Sequence, residues 1–129
     1  MTLAEIRDWL KAFALFDYYY VGRLDGTKPK ALGVYAKAST GRPVHAFGQA
    51  SSYEITGVRL LIHWNENPKE TQEASIALFR ALTDVTHVTV GDNLIYYVDL
   101  QCTEPIDVGA DANGINEYVI NLNIYSRRQ

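Results

Sequence analysis

The side chains of this sequence with a capacity for metal, nucleophilic or acid–base chemistry are three histidines, one cysteine and fifteen carboxylates. His45, His63 and His87 stand alone, at separations that match no His-x-x-His or His-x-x-x-His pair, so each is expected to be structural rather than a metal ligand. Asp111-Ala112-Asn113-Gly114 suggests a calcium loop, but in the EF-hand frame set by Gly114 the first ligand position falls on Gly109 and the bidentate position on Ile120. A hairpin turn built on Asn113-Gly114 is the better reading. Cys102 has no catalytic signature around it and reads as a small buried hydrophobe; being single, it forms no intrachain disulfide, which fits a reducing compartment. There is no Gly-x-Ser-x-Gly, Walker loop or dinucleotide fingerprint, and no carboxylate sits in a pattern that marks a tuned acid or base. The expectation is a protein with no catalytic residue, no cofactor and no metal, and not an enzyme.

Lys28, Lys30, Lys37 and Arg42 fall close together with Tyr35 and Phe47 among them, a composition that can hold a nucleic-acid backbone and stack bases. The acidic pI of about 5.5 argues against it, because such domains are usually strongly basic. A small nucleic-acid-binding domain is therefore the minor alternative from another class. The net charge of −3 is unevenly spread: Met1 to Trp64 carries eight Lys/Arg against five Asp/Glu, whereas Asn65 to Gln129 carries four against ten. Such polarity suits head-to-tail contact between copies, in which unlike patches of one chain meet.

The elements that must position these groups follow from periodicity. With 129 residues, 47% of them hydrophobic, the chain is expected to form one domain with a core of its own, residues 1–129. No apolar stretch reaches the roughly 20 residues of a membrane span, and the start lacks the features of a secretory signal. Thr2 and Glu5 form a capping box, and Ile6, Trp9, Leu10 and Phe13 recur at helical spacing, which predicts a helix ending near Leu15 or Phe16. Short strands are expected at Tyr18 to Val21 and Ala31 to Tyr35. Ala36 to Ser52 has no period and reads as a projecting arm. Tyr53 to Trp64 alternates, with Val58, Leu60, Ile62 and Trp64 on one face and Arg59, Leu61 and His63 on the other.

Asn67 as cap and Pro68 at the first turn open a second helix running to about Asp84, with Ala74, Leu78, Ala81 and Leu82 inward and Phe79 beside them. Gly91-Asp92-Asn93 joins two antiparallel strands, the second grouping Leu94, Tyr96, Val98 and Leu100 against Ile95, Tyr97 and Asp99. The last strand, Glu117 to Tyr125, alternates apolar residues with Asn121 and Asn123, which mark a solvent or subunit face. The order predicts an α+β fold, a mainly antiparallel β-sheet with two α-helices packed on one side.

The runs Val21-Gly22-Arg23-Leu24-Asp25, Leu32-Gly33-Val34-Tyr35 and Ser52-Tyr53-Glu54, the last leading into Val58-Arg59-Leu60-Leu61-Ile62-His63-Trp64, are followed by a closing run. That run is Glu104-Pro105-Ile106-Asp107-Val108-Gly109, then Asp111, Gly114, Glu117-Tyr118-Val119-Ile120-Asn121 and Tyr125. In order and spacing, from about Leu3 to Tyr125, this resembles the small minor capsid or tail terminator proteins of tailed bacteriophages and prophages. The resemblance implies a tail-terminator-like α+β fold and a hexameric ring that caps the head-proximal end of the tail tube, stops polymerisation and offers the surface for head–tail joining. The implied partners are further copies of the chain, the tail-tube protein, the head–tail connector or neck protein, and genomic DNA passing through the lumen without specific binding. It places the protein in the virion, after assembly in the host cytoplasm, with no membrane partner. A head-completion or connector-adaptor protein of the neck is the nearest alternative.

Within that frame the arm residues Lys37, Arg42, His45 and Phe47 are the candidate subunit or tube interface. Asp92, Asp99, Asp107 and Asp111 are the candidate lumen-facing carboxylates, since acidic walls repel DNA phosphate where basic walls would hold it.

Overall fold

Eleven residues of alternating pattern, Tyr53–His63, form the strand on which the rest is assembled, called β5 in chain order. The computed structural model describes residues 1–38, 45–47, 50–51 and 53–127. Before β5 come α1 (Leu3–Lys11), β1 (Tyr18–Val21), β2 (Ala31–Ala36), β3 (His45–Phe47) and β4 (Ala50–Ser51). After it come α2 (Pro68–Thr83), β6 (Thr86–Val90), β7 (Asn93–Leu100), β8 (Ile106–Ala110) and β9 (Asn116–Arg127). The main sheet has the order β1-β2-β5-β9-β7-β6, with β8 paired to β9 in line with β7. All its ladders are antiparallel except β1 on β2. β5 is matched to β9 without a break from Tyr53↔Arg127 to His63↔Glu117.

Strand period decides the two faces. Val58, Leu60 and Ile62 of β5 lie beside Leu122, Ile120 and Tyr118 of β9, and Leu32 and Val34 of β2 continue that row. These side chains join Ile6, Trp9 and Leu10 of α1 and Leu78 and Leu82 of α2 in one buried cluster. Both helices therefore cover the same face, as the sequence predicts. Among the described residues no helix is long and apolar enough to cross a membrane.

The helix starts follow their capping chemistry. Thr2 Oγ1 accepts from Glu5 N–H at 3.2 Å while the Glu5 carboxylate accepts from Thr2 N–H at 2.9 Å, and Asn67 Oδ1 accepts from Lys69 and Glu70 N–H. α1 stops at Lys11, short of the expected Leu15 or Phe16. Ala14 takes a left-handed conformation (φ +54°) that turns the chain, so Phe16 leaves the helix and packs edge-on against Trp64, with ring centroids 5.4 Å apart. In α2 the buried stripe is Thr71, Ser75, Leu78 and Leu82, while Ala74 and Ala81 are only half-buried. The expected stripe is thus turned toward two hydroxyl residues. They are tolerated inside because Thr71 donates to Asn67 O at 2.9 Å and Ser75 to Thr71 O at 2.8 Å.

One strand expectation needs correction, and one strand, β8, has no counterpart among those expected. A register shift between Ile95 and Tyr97 breaks the alternation of β7, so Ile95 is fully buried on the helix side with Val98 and Leu100, while Tyr97 and Asp99 face the other way. β8 carries no usable period because it is an exposed edge interrupted by its own shift between Asp107 and Gly109. The expected turn at Asn113-Gly114 is present, with Gly114 at φ +79°. Of the arm, β3 and β4 form a separate two-stranded sheet.

Hydrogen bonds from Thr2 and from Asn93 hold the Glu5 carboxyl below its usual range. A lowered folded-state value means the stabilisation is present above the unfolded value and is lost as the pH falls through the folded one. The wild-type melting temperature is thus expected to drop more than that of Glu5→Gln on acidification from neutral pH, read by circular dichroism; parallel curves would contradict the capping role.

Candidate functional site

The helix-free face of the sheet is polar at its centre, where β5, β9 and β7 bring Arg59, Asn121, Asn123 and Asp99 together. Arg59 Nε donates to Asn121 Oδ1 at 3.2 Å. Lys37, just past β2, donates to Asn123 Oδ1 at 3.1 Å, to Gln101 Oε1 at 3.3 Å and to the Ala38 carbonyl at 3.2 Å. Burial, with help from the Arg59 charge and against that of Asp99, draws the Lys37 ammonium below its usual range. Asn121 and Asn123 occupy the face expected of them, but Asn123 is covered completely. At the end of this face Tyr53, Tyr125 and Tyr97 stack, with centroid separations of 5.8 and 4.5 Å.

Of the expected interface residues, Lys37 is thus tied into the polar network of the sheet. His45 and Phe47 open and close β3, and Arg42 lies outside the described residues. The four expected lumen carboxylates are strung along one margin, on β7, β8 and their flanking turns, and do not form a single cluster. Asp92 is exposed in the β6–β7 turn and Asp99 accepts from Gln101 on the helix-free face. Asp107 is exposed on β8, opposite Tyr118 on the helix side, and its Oδ1 accepts from Gly109 N–H at 2.8 Å. Asp111 is engaged twice over: Oδ1 accepts from Asn113 and Ile115 N–H at 2.9 and 3.0 Å, and Oδ2 faces His63 at 3.6 Å.

His63 joins a group that its spacing in sequence conceals. Its ring is fully buried at the end of β5, with Nδ1 3.0 Å from Glu117 Oε2 and Nε2 3.2 Å from the Gly26 carbonyl. The ligand-type atoms of His63, Asp111 and Glu117 lie within 4.8 Å of one another, the one such grouping among the described residues. Both ring nitrogens face oxygen atoms, one a carboxylate pair and the other a backbone carbonyl, so the ring is held from both ends. The group is a clamp joining β5, β9, the β8–β9 turn and the loop at Gly26. The partners are 48 and 54 residues away in the chain, and only the register of His63 on Glu117 unites them.

The charge distribution is as directional as the fold. Between Arg80 and Arg127 the chain carries seven Asp or Glu and not one Lys or Arg, and this segment supplies β6, β7, β8 and nearly all of β9. Arg23, Lys28, Lys30, Lys37 and Arg59 of the N-terminal half lie on or beside β1, β2 and β5 instead. A family model described as bacteriophage tail terminator protein matches residues 5–125. The chain belongs to the bacteriophage tail terminator family. Members of the tail terminator family are structural components of the phage tail, and the two-helix, largely antiparallel sheet described above is the fold this member uses to serve that role. A comparison with curated protein sequences finds no match.

Removing a buried side chain that hydrogen-bonds on both sides leaves its partners unsatisfied, at a cost of about 2–3 kcal/mol. His63→Ala is expected to lower the unfolding free energy by about that amount in urea titrations; a loss under about 1 kcal/mol would show that the clamp contributes no more than an exposed ion pair does.

Proposed function

We propose that this tail terminator assembles as a closed hexameric ring on the head-proximal end of the tail tube, stops polymerisation there and presents the surface to which the head's connector docks. The observation that carries the reading is the family match from residue 5 to residue 125, which spans every element from α1 to β9. The charge polarity supports it: a ring closes through one repeated heterologous contact, and a chain with a basic and an acidic side provides unlike surfaces for that contact. The acidic margin supports it a second time. With some of Asp92, Asp99, Asp107 and Asp111 lining the lumen, the wall repels phosphate and DNA passes without being held. The arm that carries Arg42, His45 and Phe47, together with Lys37 at its base, is the part that reaches the tube or a neighbour.

Polymerising tail-tube protein with and without this chain, and imaging the products by electron microscopy, tests the proposal. Tubes capped at one end by a ring and arrested in length are expected. Tubes that continue to grow without added density would contradict the terminator role and favour a partner on the connector side.

A further inference from the structure

Five large apolar side chains among the described residues are more than a third exposed, and four of them lie on β1 and β8, which with β6 are the strands of the main sheet paired on one side only. Tyr18 and Val21 are on β1, at 40% and 37% exposure; Ile106 and Val108 are on β8, at 42% and 51%. β1 pairs only with β2, and β8 only with β9. Free edges bearing apolar residues are templates for pairing, and a folded protein that keeps two of them either blunts or uses them.

The charges beside the two edges are opposite. Arg23, Lys28 and Lys30 flank β1, and Lys28 Nζ stands 5.6 Å from the Tyr18 ring centroid; no ion pair occupies any of the three among the described residues. Asp17 and Asp25 are the acids on that side, and Asp25 is turned onto the N–H and hydroxyl of Thr27. β8 is flanked by Glu104 and carries Asp107. A groove of about 700 Å³ lies on its helix side, between α2 and β8, lined by Ile76, Phe79, Pro105 and Tyr118. Arg80 is the one cation along that groove.

Strand direction completes the match. β1 runs with β2 and therefore against β5, β5 runs against β9, and β9 against β8, so β1 and β8 run in opposite senses across the sheet. A second copy carried sideways, without being turned end over end, presents its β1 to β8 in antiparallel sense. We propose that the repeated contact of the ring is this one: the β1 edge of one copy, with Tyr18, Val21, Arg23 and Lys28, seats against the β8 edge of the next, with Glu104, Ile106 and Val108. The inference rests on the ring reading above and names the surface through which the ring closes. The shift at Asp107–Gly109, held by the Asp107 carboxylate, interrupts the regular edge, so pairing is short and depends on the flanking charges. Asp107 then belongs to the contact, and Asp92 and Asp99 remain for the lumen.

Charge reversal tests this. Arg23→Glu with Lys28→Glu gives every contact in a ring two acidic sides, and Glu104→Lys with Val108→Lys gives every contact two basic sides; Val108 is the exposed bulged residue itself, but both pairs leave in place the Asp107 carboxylate that holds the bulge. Like charges face to face cost several kcal/mol, so each double variant is expected to weaken the contact by about a hundred-fold or more. Ring formation is read by sedimentation velocity and electron microscopy, alone and on tubes, with thermal melts alongside. The chain carrying all four changes restores unlike sides and is expected to regain rings, which misfolding cannot imitate. Rings from either double variant at wild-type strength, or loss without rescue in the quadruple variant, would overturn this contact while leaving the ring reading intact. A wild-type chain that forms no ring alone or on tubes would overturn the ring reading and this contact with it.

Discussion

The constraint on which the structure depends is the register of β5 on β9. Eleven consecutive pairs fix it, and the strand period of two gives it its force, because a slip of one residue would exchange the faces of both strands. In the native register Val58, Leu60 and Ile62 stand beside Leu122, Ile120 and Tyr118 under the helices, while Arg59, Asn121 and Asn123 meet on the open face. Shifted by one, the sheet would turn Arg59 and the asparagines into the helix layer. Full burial of a Leu or Ile is worth about 1.5–3 kcal/mol, so the several aliphatic side chains on this pair hold the register against any local preference. The same register brings His63 to Glu117, so the buried clamp is a consequence of the core.

From that pair the sheet grows in both directions until it runs out of partners, and the nature of its two ends links fold to assembly. One side is built from the N-terminal half and ends in β1 among arginine and lysine. The other is built from the chain between Arg80 and Arg127, which is free of Lys and Arg, and ends in β6 beyond β7 and in β8, beside Glu104 and Asp107, in line with β7. The difference in charge between the halves of the sequence thereby becomes a difference between the sides of a sheet. A polar sheet of this kind is suited to a head-to-tail ring, in which each copy meets the next through surfaces that do not complement themselves.

Most of the architecture was legible in the sequence because the signals that specify it are local. Thr2 with Glu5 and Asn67 with Pro68 announce the helix starts, and Val58-Leu60-Ile62 and Ile120-Leu122-Ile124 announce the faces of the two central strands. What escaped depends on contacts between distant residues. Thr71 and Ser75 look like surface residues until their hydroxyls are seen bonded to carbonyls one turn back. Ile95 changes face through a register shift that composition does not mark. His63 reads as a solitary histidine because its carboxylate partners come from the far end of the chain. The acidic lumen candidates were legible as charges but not as a surface, since only the collinear path of β7 and β8 along β9 shows that they share a margin.

The central claim is that a rigid β5–β9 platform carries its assembly surfaces on its outer edges. Hydrogen–deuterium exchange of the chain, free and bound to tail tubes, tests it most directly. The amides of β5 and β9 are predicted to be the slowest in both states, with protection gained on assembly concentrated in β1 and β8. Gains confined to α2 and the helix-free face, with β1 and β8 unchanged, would contradict it.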